Sequence, residues 1–263
     1  MTAAQTEPQR VALPDDGRLV AVTNPQDVLV WPSLSEDSPY ADGIAGLGAG
    51  DVVIDVGAHI GLTALYFTDK IPGVRVLAFE PARRTNACLA DNAARLMPGV
   101  RVFDVALGAE PGTAELTFLP NHTMMATIVS DDADDDRNMT AVLRNFGVDG
   151  EASEQFWREF REGAERYEVR VSTLAEVLDE EGITDVGLLK IDVERGELPV
   201  LRGLRAEQWA GVRRVVAEVH AVDGNLDAVV ELLHAQGFST KVFQEDVFVG
   251  GSVHIVSAAR PGA

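Results

Sequence analysis

The stretch Val52–Gly61, with the sequence VVIDVGAHIG, decides the fold of this 263-residue chain. Its first half is an almost unbroken apolar run, which is typical of a strand that is buried on both faces. Gly57 and Gly61 then allow a tight turn, and apolar residues follow at helical spacing over residues 62–69. A strand, a glycine turn and a helix in this order predict the first unit of a parallel α/β sheet.

The same unit recurs along the chain, so that seven strands are predicted. Short loops and intervening helices require most of these strands to be parallel. The glycine turn at Gly250–Gly251 joins the last two strands and makes that pair antiparallel. The predicted strands are Val52–Val56, Val74–Phe79, Val100–Leu107, Gly187–Val193, Arg213–His220, Ser239–Phe243 and His254–Ala259. We therefore expect an α/β fold with a mostly parallel seven-stranded sheet, helices on both faces and an antiparallel last strand.

Two segments depart from this pattern. Residues 1–44, rich in loop-forming residues, are predicted to be an N-terminal segment and a candidate lid, and residues 45–263 to be one α/β domain. Residues 120–166 contain no strong strand, but they carry an acidic run over 131–136 and a helical stretch over Glu154–Arg166. This excursion is either a solvated loop or a cover for the substrate site. We expect a cover, because loops of this length are commonly functional.

Charge and cysteine content exclude several classes of function. The 22 basic and 42 acidic residues give a formal net charge of −20. A surface with this much negative charge repels phosphate backbones and anionic membranes. We therefore expect neither a nucleic acid nor a membrane as a partner. The single cysteine, Cys88, can form no internal disulfide. No apolar stretch is long enough to cross a membrane, and Met1–Arg10 lacks the order of a signal peptide. We expect a cytoplasmic protein that acts on a small-molecule substrate, and the oligomeric state stays open.

The glycine turn predicts a nucleoside-type cofactor but not a dinucleotide. His59 stands where a dinucleotide loop needs its second glycine, and no Walker lysine is present. Glu80 ends the second strand, where a carboxylate suits the two hydroxyls of a ribose. The third strand ends Asp104-Val105-Ala106-Leu107, where a small cleft could hold adenine. The predicted cofactor-binding residues are Asp55, Gly57, Ala58, His59, Gly61, Glu80, Pro81, Asp104, Val105 and Ala106.

Three motifs together resemble the FkbM-type methyltransferase family. They are Asp55–Gly61, Phe79-Glu80-Pro81 and Leu188–Glu194, and the resemblance covers roughly residues 45–258. It implies a Rossmann-like class I methyltransferase with S-adenosylmethionine as cofactor. It also implies O-methylation of a secondary metabolite of polyketide, peptide or sugar origin, either free or attached to a carrier. The family often has Asn at the position of His59 and Glu-Gly-x-Glu at the position of Glu194–Glu197.

Alternatives to this function stay open. Related enzymes also methylate nitrogen, so an N-methyltransferase acting on a similar small molecule is the first alternative. A non-catalytic cofactor-binding protein with the same fold is the second. An enzyme that uses NAD is disfavoured by the crowded position of His59.

The ends of the fourth and fifth predicted strands carry the candidate catalytic groups. Methylation of a hydroxyl requires alignment and removal of a proton, and His220 is the predicted general base. Lys190 lies inside an apolar strand and should pair with a carboxylate such as Asp192. The predicted catalytic residues are His220, Asp192, Lys190 and Glu194. The predicted substrate-binding residues are Tyr40, His122, Met124, Met125 and Glu218. Asp192, Glu218 and His220 are also candidate ligands for Mg²⁺, because carboxylates with a histidine suit this ion.

Overall fold

A computed structural model describes residues 8–262 and confirms the predicted seven-stranded sheet. Residues 1–7 of the N-terminal segment lie outside the described residues. The strands of the seven-stranded sheet are β3 (Val52–Val56), β4 (Arg75–Phe79), β5 (Val100–Phe103), β9 (Leu188–Ile191), β10 (Arg214–His220), β11 (Ser239–Phe243) and β12 (Val253–Ala259). Their order is β11-β12-β10-β9-β3-β4-β5. The strands from β10 to β5 are parallel, and β12 runs antiparallel to both of its neighbours, as predicted.

Alternate residues of each central strand enter two apolar layers, one on each face of the sheet. In β3, Val52, Ile54 and Val56 enter one layer, and Val53 enters the other. The first layer is covered by α6 (Leu174–Glu181), α7 (Glu197–Arg202) and α8 (Asn225–Ala235), and the second by α2 (Leu62–Lys70) and α3 (Arg83–Leu96). Covering both faces removes a large apolar area from water, which is the main stabilisation of such a sheet.

A second, three-stranded sheet carries the excursion. It consists of β6 (Ala106–Leu107), β7 (Gly112–Phe118) and β8 (Glu165–Ser172), in the order β6-β8-β7. Phe118 pairs with Glu165 across the antiparallel β7–β8 ladder, so the excursion starts and ends at neighbouring positions. Between them lie α4 (Asp132–Asn145) and α5 (Gly150–Glu159).

Two predictions about this region are wrong. The predicted strand Val100–Leu107 is broken after Phe103, because β6 pairs with β8 and not with the main sheet. The predicted helical stretch Glu154–Arg166 ends at Glu159, and a strand begins at Glu165. The alternation of Tyr167, Val169 and Val171 is the pattern of a strand with one apolar face, and it would have revealed β8.

The N-terminal segment packs on the edge of the second apolar layer. It forms a hairpin of β1 (Gln9–Ala12) and β2 (Leu19–Val22), then a 3-10 helix over Pro25–Ser33 and α1 (Pro39–Ile44). Val20, Ala21 and Val22 are buried against this layer. Among residues 8–262, no helix has both the length and the apolar character that a membrane crossing requires.

Candidate active site

A cavity of about 660 Å³ lies at the carboxyl ends of the parallel strands. Four parts of the chain close it: the strand ends, residues 29–40 of the N-terminal segment, residues 123–146 of the excursion, and residues 245–248 of the loop before β12. The predicted site residues that line it are Tyr40, Gly57, Ala58, His59, Glu80, Pro81, Val105, Ala106, Met124, Met125, Lys190, Asp192, Glu194, Glu218 and His220. Four predicted residues do not line it: Asp55, Gly61, Asp104 and His122. The structure thus gathers most of the predicted residues around one space.

The turn after β3 requires glycine at both ends. Gly57 has a φ of +78°, and a side chain there would overlap the backbone carbonyl of Asp192. Gly61 has a φ of +91° and begins α2, where an added Cβ would lie 2.6 Å from Leu89 Cδ1. The glycines therefore let the turn pack closely against the next strand end on one side and against α3 on the other.

Glu80 is the buried carboxylate that follows β4. It accepts hydrogen bonds from the backbone N–H groups of His59 (2.9 Å) and Ala82 (2.8 Å) and from the Thr85 hydroxyl (3.1 Å). Burial raises the pKa of Glu80 to about 7, despite these hydrogen bonds. Because Glu80 lines the cavity beside the glycine turn, it lies where the sequence predicted a ribose-binding carboxylate.

Lys190 is a buried side chain that holds the glycine turn through the carbonyl of Gly57. Its Nζ lies 2.9 Å from Asp55 Oδ1 and donates to the Gly57 carbonyl at 2.7 Å, whereas Asp192 Oδ2 is 3.5 Å away. Burial opposes the charge of Lys190, but Asp55 and Asp192 outweigh it and raise its pKa. The nearest carboxylate to Lys190 is therefore Asp55, and the expected pair with Asp192 is present at the longer distance. Asp55 is fully buried behind the cavity wall and does not line the cavity.

Carboxylates gather at the other end of the cavity. Asp192, Glu194, Glu218 and Glu245 all line it. Burial, together with the charges of Asp192 and Glu194, raises the pKa of Glu218 well above its usual range. Among residues 8–262, the Glu218 carboxylate has no partner within hydrogen-bond or ion-pair distance. Glu194 lies beyond β9, which ends at Ile191, in a turn where its φ is +57°.

His220 lies between two carboxylates. Its Nδ1 is 2.7 Å from Asp134 Oδ2, and its Nε2 is 3.1 Å from Glu194 Oε2. Burial opposes protonation, but Glu194 and Asp134 raise the pKa of His220 to about 11. Both ring nitrogens therefore donate, and neither is free to accept a proton. These contacts disfavour His220 as the general base, and that role stays a prediction.

Asp134 was missed because its neighbours suggested a solvated run of charge. Asp131 accepts from the N–H groups of Ala133 and Asp134 and so begins α4. Asp134 and Asp135 then turn inward onto Arg195, at 3.2 and 2.8 Å. An acidic run that begins with a capping aspartate is also a signal for a helix start, and that reading would have placed α4.

A second missed cluster joins three separate segments. His59 Nε2 lies 2.8 Å from the Thr123 hydroxyl, which donates to Asp27 Oδ1 at 2.5 Å. Burial lowers the pKa of His59 to about 4, so its ring is neutral. The cluster connects the glycine turn to the excursion and to the N-terminal 3-10 helix.

Two predicted site residues, His122 and Asp104, lie away from the cavity. His122 packs against Phe156 and Phe160, with ring centroids 4.8 and 5.0 Å apart, and does not reach the cavity. Asp104 is exposed, and its carbonyl accepts from Arg170. Val105 and Ala106 line the cavity in its place.

The candidate Mg²⁺ ligands are rearranged relative to the prediction. Ligand atoms of Glu194, Glu218 and His220 lie within 4.8 Å of one another. Glu194 thus takes the place that the sequence had suggested for Asp192.

The fold and the cavity at its carboxyl edge define a Rossmann-like class I methyltransferase. The chain belongs to the methyltransferase FkbM domain family, whose sequence profile matches residues 55–240. This membership confirms the resemblance seen in the sequence. At the level of family and fold, it also confirms the expectation of an S-adenosylmethionine-dependent methyltransferase.

Relatives of known name support the assignment. The chain is 36% identical to the 31-O-demethyl-FK506 methyltransferase FkbM of Streptomyces tacrolimicus, over 96% of this chain and 97% of that protein. It is 32% identical to the methyltransferase sdnD of Sordaria araneosa, over 83% and 84%. A crystal structure of a methyltransferase FkbM from Methylobacillus flagellatus has a TM-score of 0.50 at 12% identity, over 83% of this chain and 46% of that one. This last likeness concerns the fold alone.

Proposed function

We propose that this protein transfers the methyl group of S-adenosylmethionine to a hydroxyl oxygen of a small secondary metabolite of polyketide, peptide or sugar origin. The observation that carries the proposal is one cavity that joins the glycine turn and Glu80 to the carboxylates at the ends of β9 and β10. The name of the Streptomyces tacrolimicus relative describes O-methylation of FK506 that lacks the 31-O-methyl group. That name favours oxygen over nitrogen as the acceptor atom. We propose a cytoplasmic location, because the single cysteine, Cys88, fits a reducing compartment. We also propose a small-molecule acceptor, free or carrier-bound, because the net charge of −20 opposes nucleic acids and anionic membranes.

The residues around the glycine turn fit the proposed cofactor. Glu80 Oε2 accepts one hydrogen bond, from His59 N–H, and so has capacity for a ribose hydroxyl. Phe79, Val105 and Leu107 give the adjoining wall an apolar surface that suits adenine. The carboxylates at the far end would favour a positive sulfonium centre. When bound, the cofactor supplies the electrophilic methyl group.

Glu218 is the residue that we propose as the proton acceptor in place of His220. Its carboxylate faces the cavity and is unpaired among residues 8–262. Burial raises the pKa of Glu218, but the positive sulfonium of a bound cofactor would favour the ionised form that can accept a proton. The acceptor oxygen would bond to the methyl carbon as the carbon–sulfur bond breaks. Glu218 would take the hydroxyl proton in the same step, and S-adenosylhomocysteine would leave.

Two experiments test the cofactor and the base. Isothermal titration calorimetry with S-adenosylhomocysteine should show binding, and its absence with folded protein would overturn the cofactor assignment. Glu218→Gln should keep that affinity within about threefold, yet lower turnover by about 10²-fold or more. Glu231→Gln, at an exposed position of α8, is the matched control. Unchanged turnover in Glu218→Gln would remove Glu218 from the mechanism.

The acceptor atom needs a separate measurement. Candidate hydroxylated compounds, incubated with labelled S-adenosylmethionine, should give a product whose fragmentation places the label on oxygen. Label on nitrogen would favour the N-methyltransferase alternative. Tight cofactor binding without a methylated product from any acceptor would favour a non-catalytic binding protein.

We also propose a test for Mg²⁺ at Glu194, Glu218 and His220. The close grouping of their ligand atoms supports it, since carboxylate oxygens and a histidine nitrogen suit this ion or Mn²⁺. Binding would have to displace the proton on His220 Nε2, because a metal-ligating nitrogen is unprotonated. Activity should be lost in EDTA and restored by Mg²⁺. Full activity in chelator would reject the ion.

A further inference from the structure

The excursion does more than cover the cavity, because it places a charged side chain against the ring of His220. We propose that Asp134 on α4 is a positioning residue for the methyl transfer: it fixes the imidazole of His220 so that Nε2 is turned toward Glu194 at the cavity wall. This proposal rests on the proposed function for its catalytic meaning. The geometry that carries it is the pair of contacts at 2.7 Å (Asp134 Oδ2 to Nδ1) and 3.1 Å (Nε2 to Glu194 Oε2).

Asp134 is itself held firmly enough to position another group. It is 5% exposed, and its Oδ2 accepts from Asn138 Nδ2 at 3.1 Å and pairs with Arg195 Nη1 at 3.2 Å. An ionised carboxylate only accepts hydrogen bonds, so the nitrogen that faces it must carry a proton. Nδ1 therefore lies on the Asp134 side of the ring, and this contact turns Nε2 toward Glu194 on the cavity side.

The rival arrangement of the ring is also visible in the structure. Asn138 Nδ2 lies 3.4 Å from His220 Nδ1 and could donate to it if Nδ1 were unprotonated. The contact to Asp134 is 0.7 Å shorter (3.4 − 2.7) and carries charge, so it prevails. Removing the charge of Asp134 would remove that preference.

The chain of contacts ends on a group that matters for the reaction. Glu194 lines the cavity, and its carboxylate belongs to the group that also contains Glu218, the proposed proton acceptor. A structural tie between α4 and the sheet could be made from apolar side chains, at lower desolvation cost than buried charges. A carboxylate that orients a histidine, which then engages a reactive group, is a recurrent solution for fixing geometry in enzymes. Asp134 would act through His220 and does not itself line the cavity.

The kinetic test uses Asp134→Asn, with Asp132→Asn as its control. Asp132 lies on the same helix, and its side chain is 76% exposed, so this control makes the same change of charge outside the network. Asp134→Asn should lower kcat by about 10²-fold or more, while KM and the affinity for S-adenosylhomocysteine stay within about threefold. Wild-type kcat in Asp134→Asn would overturn the proposal. A loss of cofactor affinity and of thermal stability in step with kcat would also overturn it, because that is the result of a structural role.

A second measurement depends neither on Asp134→Asn nor on turnover. In ¹⁵N-histidine NMR spectra of the wild-type protein, the His220 signals can be assigned by comparison with His220→Asn. Nδ1 should be protonated throughout the pH range in which the protein is folded and Asp134 is ionised. An unprotonated Nδ1 would overturn the proposal even if Asp134→Asn fails to fold. If the wild-type protein binds no S-adenosylhomocysteine and methylates nothing, the proposed function fails, while the NMR result still decides whether Asp134 fixes the ring.

Discussion

Replacing Gly57 by alanine should cost the protein its cofactor affinity while leaving it folded. Gly57 has a φ of +78° and lies against the end of β9. An added Cβ would be 2.8 Å from the carbonyl carbon of Asp192, closer still to its oxygen, and 3.3 Å from Val193 Cγ1. Since carbon atoms pack best at about 3.5–4.0 Å, the turn and the strand end must separate by roughly 0.7 Å or more.

The size of the effect follows from this displacement. A shift of about 1 Å in a site that depends on close geometry costs on the order of 10²-fold. In binding free energy this is about 2.8 kcal/mol, since each tenfold is worth about 1.4 kcal/mol. The left-handed backbone adds about 1–2 kcal/mol, which should be seen in the free energy of unfolding. Gly50→Ala is a matched control, because Gly50 has a φ of +87° but an added methyl group there meets no other atom within 4 Å.

Calorimetry with S-adenosylhomocysteine and urea unfolding separate the two effects. In both variants, the strain of a left-handed backbone at alanine should lower the free energy of unfolding by a similar amount. Only Gly57→Ala should lose about 10²-fold in affinity for S-adenosylhomocysteine. If Gly57→Ala binds within about threefold of Gly50→Ala, a difference of roughly 0.7 kcal/mol, the packing argument is refuted.

Three further predictions concern the groups that hold the site together. Lys190→Met should lower the free energy of unfolding by about 3–5 kcal/mol, because it leaves the buried Asp55 unpaired. Lys70→Met removes an exposed pair and should change the free energy of unfolding by less than about 1 kcal/mol. A small loss for Lys190→Met in urea unfolding would contradict the buried pair. Burial raises the pKa of Glu197 from 4.5 to about 7, so its contribution to stability is present below pH 4.5 and is lost as the pH rises through 7. Glu197→Gln should therefore lose about 2–3 kcal/mol less unfolding free energy than the wild type between pH 5 and pH 8, and equal slopes in chemical denaturation would argue against a buried titrating group here. Thr123→Val should lower the unfolding free energy by about 1–3 kcal/mol and increase hydrogen exchange over residues 25–33, because the hydroxyl that ties them to the excursion is gone; unaltered exchange would show that this tie does not hold the segment.

The central sheet and the cofactor turn were predictable because their signals are local. The apolar run of β3, the glycines at 57 and 61, and Glu80 at the end of β4 all lie within about thirty residues, and strand periodicity places them at one edge. The carboxyl-end rule for parallel sheets then predicted the right edge for Asp192 and Glu218 as well.

The environment of His220 was not predictable in the same way. Asp134 lies 86 residues before His220 in sequence, and only the folded excursion brings them together. No periodicity reports such a contact, and a run of aspartates is more often solvated than buried. The same holds for Asp27, His59 and Thr123, which come from three segments with no shared pattern. What the sequence suggested as a free base is therefore, in the folded protein, a ring held on both sides.

The pairing of Phe118 with Glu165 has an evolutionary consequence. The 46 intervening residues are a closed insertion on a two-stranded stem, so their length and sequence can change without altering the register of the main sheet. Selection could then remodel the wall that meets the acceptor while the cofactor turn is inherited unchanged. In this chain the freedom is restricted at two contacts: a replacement must still present a carboxylate to His220, as Asp134 does, and a hydroxyl to His59 and Asp27, as Thr123 does. Chimeras that exchange the insertion between family members would be a direct way to move acceptor choice from one enzyme to another.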